Sequence, residues 1–197
     1  GKSCADCHQG GVAKSMKGIA IRYPRFVKEY GRMMAMEEFL QMHSPATTGA
    51  EMPSESKANL NMSALVKLQS NGMPLNLDLT SMESRAALAR GEATFNKRVG
   101  KRNHACADCH LEAPGKGGGK FLGGRLLGTR DSGLMNHFPL WRTNFNKMRD
   151  PRKRFQWCML PLGMNYLASD SVEYAELEFY LASFGQGKPL TAPGIRH

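Results

Sequence analysis

Two identical pentapeptides contain four of the five cysteines, Cys4-Ala5-Asp6-Cys7-His8 and Cys106-Ala107-Asp108-Cys109-His110. The C-x-x-C-H spacing is typical of covalent haem attachment, because the two thiols add to two vinyl groups while the next imidazole binds iron. A zinc or dithiol site would not require the terminal histidine in both copies. The sequence therefore predicts two covalently attached haem c groups, with thioether bonds at Cys4, Cys7, Cys106 and Cys109 and with iron ligands at His8 and His110.

Cys158 is the remaining cysteine, and it has no obvious partner. In an oxidising compartment an odd cysteine is a buried inert thiol, half of an intermolecular disulfide, or a haem ligand or reactive sulfur. We favour the last interpretation because of the sequence around Cys158.

Similar segments follow both haem motifs, which lie 102 residues apart. Both contain an aromatic-proline turn, Tyr23-Pro24 in the first case and Phe138-Pro139 in the second. Further on, Leu40-Gln41-Met42-His43 aligns with Phe155-Gln156-Trp157-Cys158. The alignment predicts His43 and Cys158 as the far-side ligands of the two haems. A surface or core histidine at 43, and ligation by Met42 or another methionine of this half, remain alternatives.

The expected fold is all-α, with two cytochrome c-like domains related by internal duplication and each built around one covalent c-type haem. We place the domains at 1–80, lacking an N-terminal helix, and at 81–197. Helices are expected before His43, at residues 62–69 and 83–97, before Cys158, and from an N-cap at Asp170 to Gly185. Glycines at 115–120 and 123–124 predict a flexible loop.

The net charge of +10 favours anions and acidic partners, and haem propionates would reduce it only in part. One dense basic cluster spans residues 147–154, but no nucleic-acid-binding module accompanies it, so we expect no nucleic-acid partner. No apolar run is long enough to span a membrane. No signal peptide opens the chain, so we interpret Gly1 as a processed or truncated start. Haem attachment at C-x-x-C-H predicts a periplasmic protein.

Several segments make the sequence similar to the SoxA family, the diheme cytochromes c of the bacterial sulfur-oxidising system. Most of the chain is involved. The segments are both haem motifs, Ile21-Arg22-Tyr23-Pro24, Phe138-Pro139-Leu140-Trp141-Arg142, Arg154-Phe155-Gln156-Trp157-Cys158, residues 173–182 and Ala192-Pro193-Gly194-Ile195-Arg196.

The resemblance implies that thiosulfate is joined oxidatively to a cysteine of a carrier protein, the reaction of an L-cysteine S-thiosulfotransferase. Electrons would leave through the haems to a cytochrome acceptor. The implied partners are a monohaem cytochrome c subunit (SoxX-like) and a sulfur-carrier protein (SoxYZ-like). By the same resemblance Cys158 ligates the second haem and can carry an extra sulfur, and Arg154 lies four residues earlier. A guanidinium suits the thiosulfate dianion and favours thiolate at Cys158; Arg152 and Lys153 are weaker candidates.

One departure from the family concerns His43, which stands where the family usually has a cysteine. It predicts a bis-histidine first haem with a higher potential than a thiolate-ligated one. Two other functions remain open: a diheme electron carrier without chemistry of its own, and a thiosulfate dehydrogenase forming tetrathionate, in which the cysteine would lie with the first haem. A diheme peroxidase would need a distal acid-base set that the sequence does not show.

Overall fold

The computed structural model describes residues 2–111, 121–122 and 125–196, so the glycine-rich loop predicted at 115–120 and 123–124 lies outside the described residues. Helices form most of the regular structure. The α-helices are α1 (Cys4–Cys7), α2 (Gly11–Ser15), α3 (Met36–Thr48), α4 (Lys57–Leu68), α5 (Met82–Asn96), α6 (Ala107–His110), α7 (Pro151–Met159) and α8 (Val172–Ser183). Short 3-10 helices occur at Ala20–Arg22, Lys28–Tyr30, Arg130–Ser132, Thr143–Phe145 and Leu160–Leu162.

Short strands interrupt the helices, so the all-α prediction is right for the dominant structure and incomplete in detail. They are β1 (Arg25–Val27), β2 (Arg32–Met34), β3 (Phe121–Leu122), β4 (Arg125–Leu126), β5 (Leu140–Arg142), β6 (Lys147–Arg149) and β7 (Gly194–Arg196). Strands β1 with β2, and β3 with β4, form antiparallel pairs. Strand β5 pairs antiparallel with β6 and parallel with β7. Segments of two or three residues are too short to carry the alternating pattern that identifies a strand in sequence.

One local arrangement occurs twice in the chain. In each case an aromatic-proline pair with a cis peptide bond precedes a strand, a single 3-10 turn, a second strand and an α-helix. The turn ends in a left-handed residue, Gly31 in the first copy and Asn146 in the second. The following helices are α3 and α7, and His43 and Cys158 are each the eighth residue of their helix. The sequence alignment of these two residues is thus matched by the backbone.

Side-chain caps fix the beginnings of four helices. The N-cap side chains of Ser56, Ser81, Asp150 and Ser171 accept hydrogen bonds from the backbone N–H groups three residues on. The prediction of Asp170 as the N-cap of α8 is therefore wrong by one residue. The Asp170 carboxylate instead accepts a hydrogen bond from Gln41 Nε2 at 3.0 Å, which ties the start of α8 to α3.

Among the described residues two apolar clusters connect the two halves of the chain, and a third lies within the second half. One joins Ile21 and Val66 of the first half to Leu190 and Ala192 near the carboxyl terminus. A second joins Met33 and its neighbours to α5 and α8, and the third lies between α5, α7 and α8. The domain boundary near residue 80 remains a prediction, but the chain on either side of it shares these cores. Within the described residues no helix is both long and apolar enough to cross a membrane.

Candidate functional site

His8 and His43 face each other in the first half of the molecule. His8 caps the end of α1, and its ring centroid lies 6.4 Å from that of His43 on α3. Phe39, one turn earlier on α3, stacks on His43 at 4.8 Å and holds its ring. A metal–imidazole bond is about 2 Å long, so this separation is compatible with one iron between the two rings. Met42 is 38% exposed, which makes it the poorer candidate ligand.

His110 of the second motif has a defined ring orientation. Its Nδ1 lies 2.7 Å from the carbonyl oxygen of Gly128 and donates to it in the neutral tautomer. Such a bond leaves Nε2 free for a metal and fixes the plane of the ring. Sequence reasoning missed Gly128, because a backbone carbonyl contributes no residue-type signal. The two cysteines of this motif are half-buried on and beside α6.

The aspartate shared by both pentapeptides has a structural role in each. Asp6 accepts a hydrogen bond from the backbone N–H of Ser3 at 2.7 Å, and Asp108 accepts one from Ala105 at 3.1 Å. Backbone hydrogen bonding lowers the pKa of Asp108, as do His104 and Arg98. Each aspartate therefore fixes the turn of backbone that presents the two thiols.

Cys158 lies near the second haem motif. Its thiol is half-buried on α7 and interacts electrostatically with both Cys106 and Cys109. Burial raises the pKa of Cys106 to about 11. The flanking residues Phe155 and Met159 pack into the cluster beside Cys106. The structure therefore brings the predicted ligand of the second haem to the attachment cysteines, as it brings His43 to His8.

Arg154 is exposed, one helical turn before Cys158. Burial raises the pKa of the Cys158 thiol, and the Arg154 guanidinium offsets that rise in part. The expectation that positive charge favours thiolate is therefore only partly met, because desolvation is the larger effect. Iron would reverse this balance, since a coordinating thiol is deprotonated.

The other two basic residues of α7 are engaged away from Cys158. Arg152 is fully buried, and Lys153 pairs with Glu55 at 3.0 Å. Neither is therefore free to bind a substrate anion beside Cys158. Of the basic residues considered from the sequence, Arg154 has the geometry that the prediction requires.

These donors fit a c-type haem in each half. Each half offers two thiols on or beside one short helix, a following imidazole, and a nearby side chain from α3 or α7. His8 and His43 would hold the first iron, and His110 and Cys158 the second.

Comparison with known proteins shows what this chain is similar to. The family described as SoxA/TsdA, cytochrome c domain, matches residues 1–75. The chain is 29% identical over its whole length to the L-cysteine S-thiosulfotransferase subunit SoxA of Pseudaminobacter salicylatoxidans and 28% identical to that of Paracoccus pantotrophus. It covers 66% and 65% of those two proteins, respectively. The resemblance to SoxA that the sequence predicted is thus confirmed.

A solved structure gives the same result for the fold. The crystal structure of SoxXA from P. pantotrophus superposes with a TM-score of 0.86 at 28% identity, over 100% of this chain and 71% of the solved one. The chain therefore has the fold of that cytochrome.

Proposed function

We propose that this chain acts as a SoxA-like L-cysteine S-thiosulfotransferase, joining thiosulfate to a cysteine of a carrier protein. Its similarity to SoxA proteins extends along the whole chain. The observation that carries the proposal is the position of Cys158 beside the second haem motif, with Arg154 one turn earlier. Cys158 is the sulfur site, and Arg154 binds the thiosulfate oxygens.

The reaction can be written with its electrons and protons balanced. A thiol of the carrier and the thiosulfate dianion form one S–S bond and release one proton and two electrons. A bound haem supplies a one-electron acceptor at each iron. The residues of this chain orient the anion at Arg154 and place the Cys158 sulfur beside it.

Two haem c groups in two duplicated domains, 1–80 and 81–197, complete the proposed architecture. The repeated strand-turn-strand-helix arrangement supports duplication, as do the paired roles of Asp6 and Asp108. Under this proposal His43 gives the first haem two imidazole ligands, and this haem relays electrons.

The proposed partners are a monohaem SoxX-like cytochrome and a SoxYZ-like carrier, in the periplasm. The formal charge of +10 suits an acidic partner surface and an anionic substrate.

A diheme electron carrier is the second candidate function. Burial raises the pKa of Cys158, which favours a neutral and unreactive thiol as long as no iron binds it. Thiosulfate dehydrogenase fits less well, because the cysteine would then be expected with the first haem, where His43 stands.

Replacement of Cys158 separates these functions. In holoprotein assayed with thiosulfate, carrier and a cytochrome acceptor, we expect Cys158→Met to lose at least 100-fold of the sulfur-transfer rate while intact mass still shows both haems. The control is Leu160→Met, which introduces the same thioether two residues later at an exposed position and should leave the rate unchanged. Survival of the sulfur-transfer rate in Cys158→Met would contradict the role of Cys158. Wild-type holoprotein that exchanges electrons with the acceptor but transfers no sulfur would favour the electron carrier.

A further inference from the structure

A buried ion cluster joins the two helices that carry His43 and Cys158. Arg152 is fully buried and lies 2.9 Å from Glu178, 3.3 Å from Glu38 and 3.6 Å from Glu37. Arg152 is the second residue of α7, and Glu37 is the second residue of α3. Equivalent positions of the two repeats therefore meet as an ion pair.

The charges of this cluster do not balance when all groups are ionised. Lys67 of α4 pairs with Glu37 at 2.9 Å, and Arg32 of β2 pairs with Glu38 at 3.1 Å. The carboxylates are Glu37, Glu38, Asp150 and Glu178, and the cations are Arg32, Lys67 and Arg152. Glu55 also acts on Asp150, but it pairs with Lys153 and the two add no net charge. One negative charge is thus in excess. An uncompensated buried charge is costly, and one bound proton removes it.

Asp150 and Glu178 are the carboxyls best placed to hold that proton. Burial raises the pKa of Asp150 to about 6 and that of Glu178 to about 7, although Arg152 opposes both shifts. Burial alone would also raise the pKa of Glu37, but Lys67 and Arg152 lower it to about 2. Asp150 Oδ2 is buried and has no hydrogen-bond partner among the described residues. Asp150 and Glu178 also influence each other. Burial raises the pKa of Glu38 as well, but Glu38 accepts a hydrogen bond from the backbone N–H of Ala35 and pairs with Arg32.

A small cavity borders Glu178. It has a volume of about 20 Å³, enough for about one water molecule, and is lined by Glu178 and Lys67, together with Asn136, Tyr23 and Phe138. Asn136 Oδ1 is buried and has no hydrogen-bond partner in the described part of the chain. A cavity of this size that is lined by polar groups can hold an ordered water molecule.

We propose that this cluster is a redox-linked proton-binding site shared by the two haems. When an iron gains one electron from an external donor, a carboxylate of the Asp150–Glu178 pair binds one proton from solvent; when the electron leaves, the O–H bond breaks and the proton returns. The reason is electrostatic. Reduction adds a negative charge near the cluster, and this raises its affinity for a proton.

The repeat places the cluster at the same separation along the helix from each predicted iron ligand. His43 lies six residues beyond Glu37 on α3, and Cys158 lies six residues beyond Arg152 on α7. At 1.5 Å per residue each separation is about 9 Å along the helix axis. Charges at this range inside a protein are screened far less than at its surface. Both irons would therefore act on the same proton.

The test is proton uptake by haem-loaded protein during electrochemical reduction, in weakly buffered solution with a pH indicator and without thiosulfate or carrier. Near pH 6.5 we expect an uptake of up to one proton per molecule. Glu178→Gln and Asp150→Asn should each lower it by at least half, and Asn keeps the N-cap of α7. The matched control is Glu176→Gln on the same helix, because Glu176 pairs with Arg90 outside the cluster.

Two results would overturn the proposal. One is wild-type protein that takes up no proton between pH 6 and 7, which needs no variant to fold. The other is folded Glu178→Gln and Asp150→Asn variants that take up as many protons as the wild type, which would assign the uptake to the haem propionates. The measurement involves no sulfur chemistry, so its failure would not bear on the proposed transferase activity.

Discussion

His43 and Cys158 are the residues at which the two halves differ most in chemistry, although they hold the same position on α3 and α7. An imidazole is a neutral ligand, whereas a thiolate adds negative charge to ferric iron and lowers its reduction potential. Under the proposed function, the first site would pass electrons and the second would carry the sulfur chemistry. The assignment of His43 can be tested apart from any activity.

We expect His43→Ala to open one coordination position and convert one haem from the low-spin to the high-spin state. Met42→Ala is the matched control, since Met42 is exposed and should leave both haems low-spin. Visible absorption and electron paramagnetic resonance of the purified holoproteins measure the change. If Met42→Ala produced the high-spin haem and His43→Ala did not, the ligand would be the methionine.

Among individual residues, the sequence predicted those whose side chains can bind iron, haem or an anion. The haem cysteines, His8, His110, His43, Cys158 and Arg154 were all proposed from spacing and resemblance, and the structure groups them in two places. It could not predict the Gly128 carbonyl that orients His110. Nor could it separate buried Arg152 from exposed Arg154, because both belong to one basic run and only tertiary packing distinguishes them.

Among the elements, α5 and α8 pack closely at Gly91. A Cβ at this position would meet the backbone of Glu176 and lie 2.7 Å from Tyr180 Cβ. A glycine within a helix does not identify its partner helix in the sequence, so this contact could not be assigned to α8 in advance. The strands were missed, because β1, β2, β5 and β6 have only three residues each.

We expect Gly91→Ala to destabilise the protein by about 1–3 kcal/mol, since overpacking against a fixed backbone outweighs the higher helix propensity of alanine. Ala89→Gly on the exposed face of α5 measures propensity alone and should cost about 1 kcal/mol. Denaturant unfolding of both variants gives the comparison. If Gly91→Ala were more stable than wild type, the higher helix propensity of alanine would outweigh the steric overlap, and α8 would have to move away.

For the molecule as a whole, the shared cores predict one cooperative unfolding transition. Leu190 and Ala192 pack with Ile21 and Val66, so the carboxyl terminus completes the core of the first half. Both tryptophans, Trp141 and Trp157, lie in the second half. Tryptophan fluorescence should therefore change at the same denaturant concentration as far-UV circular dichroism, which reports on all helices. Separate midpoints would mean that the halves unfold independently.

The buried cluster also makes the stability of the whole molecule depend on pH. In the unfolded chain Glu178 ionises near 4.5, whereas burial raises its pKa in the folded protein to about 7. Between these values the folded state binds more protons, so the contribution of this group to stability falls as pH rises. Glutamine does not ionise, so a glutamine at this position causes no such loss of stability.

The free energy of unfolding of Glu178→Gln should therefore rise relative to wild type from pH 4.5 to 7, by at most about 1.4 kcal/mol per pH unit, and level off above 7. Glu37 has the opposite sign, because its pKa is lowered to about 2, and its contribution is lost below pH 4.5 in both proteins. Denaturant titrations of the two holoproteins across this range measure the difference. A difference that did not change with pH would mean that Glu178 is already ionised in the folded protein throughout, and that its excess charge is compensated by groups outside the cluster.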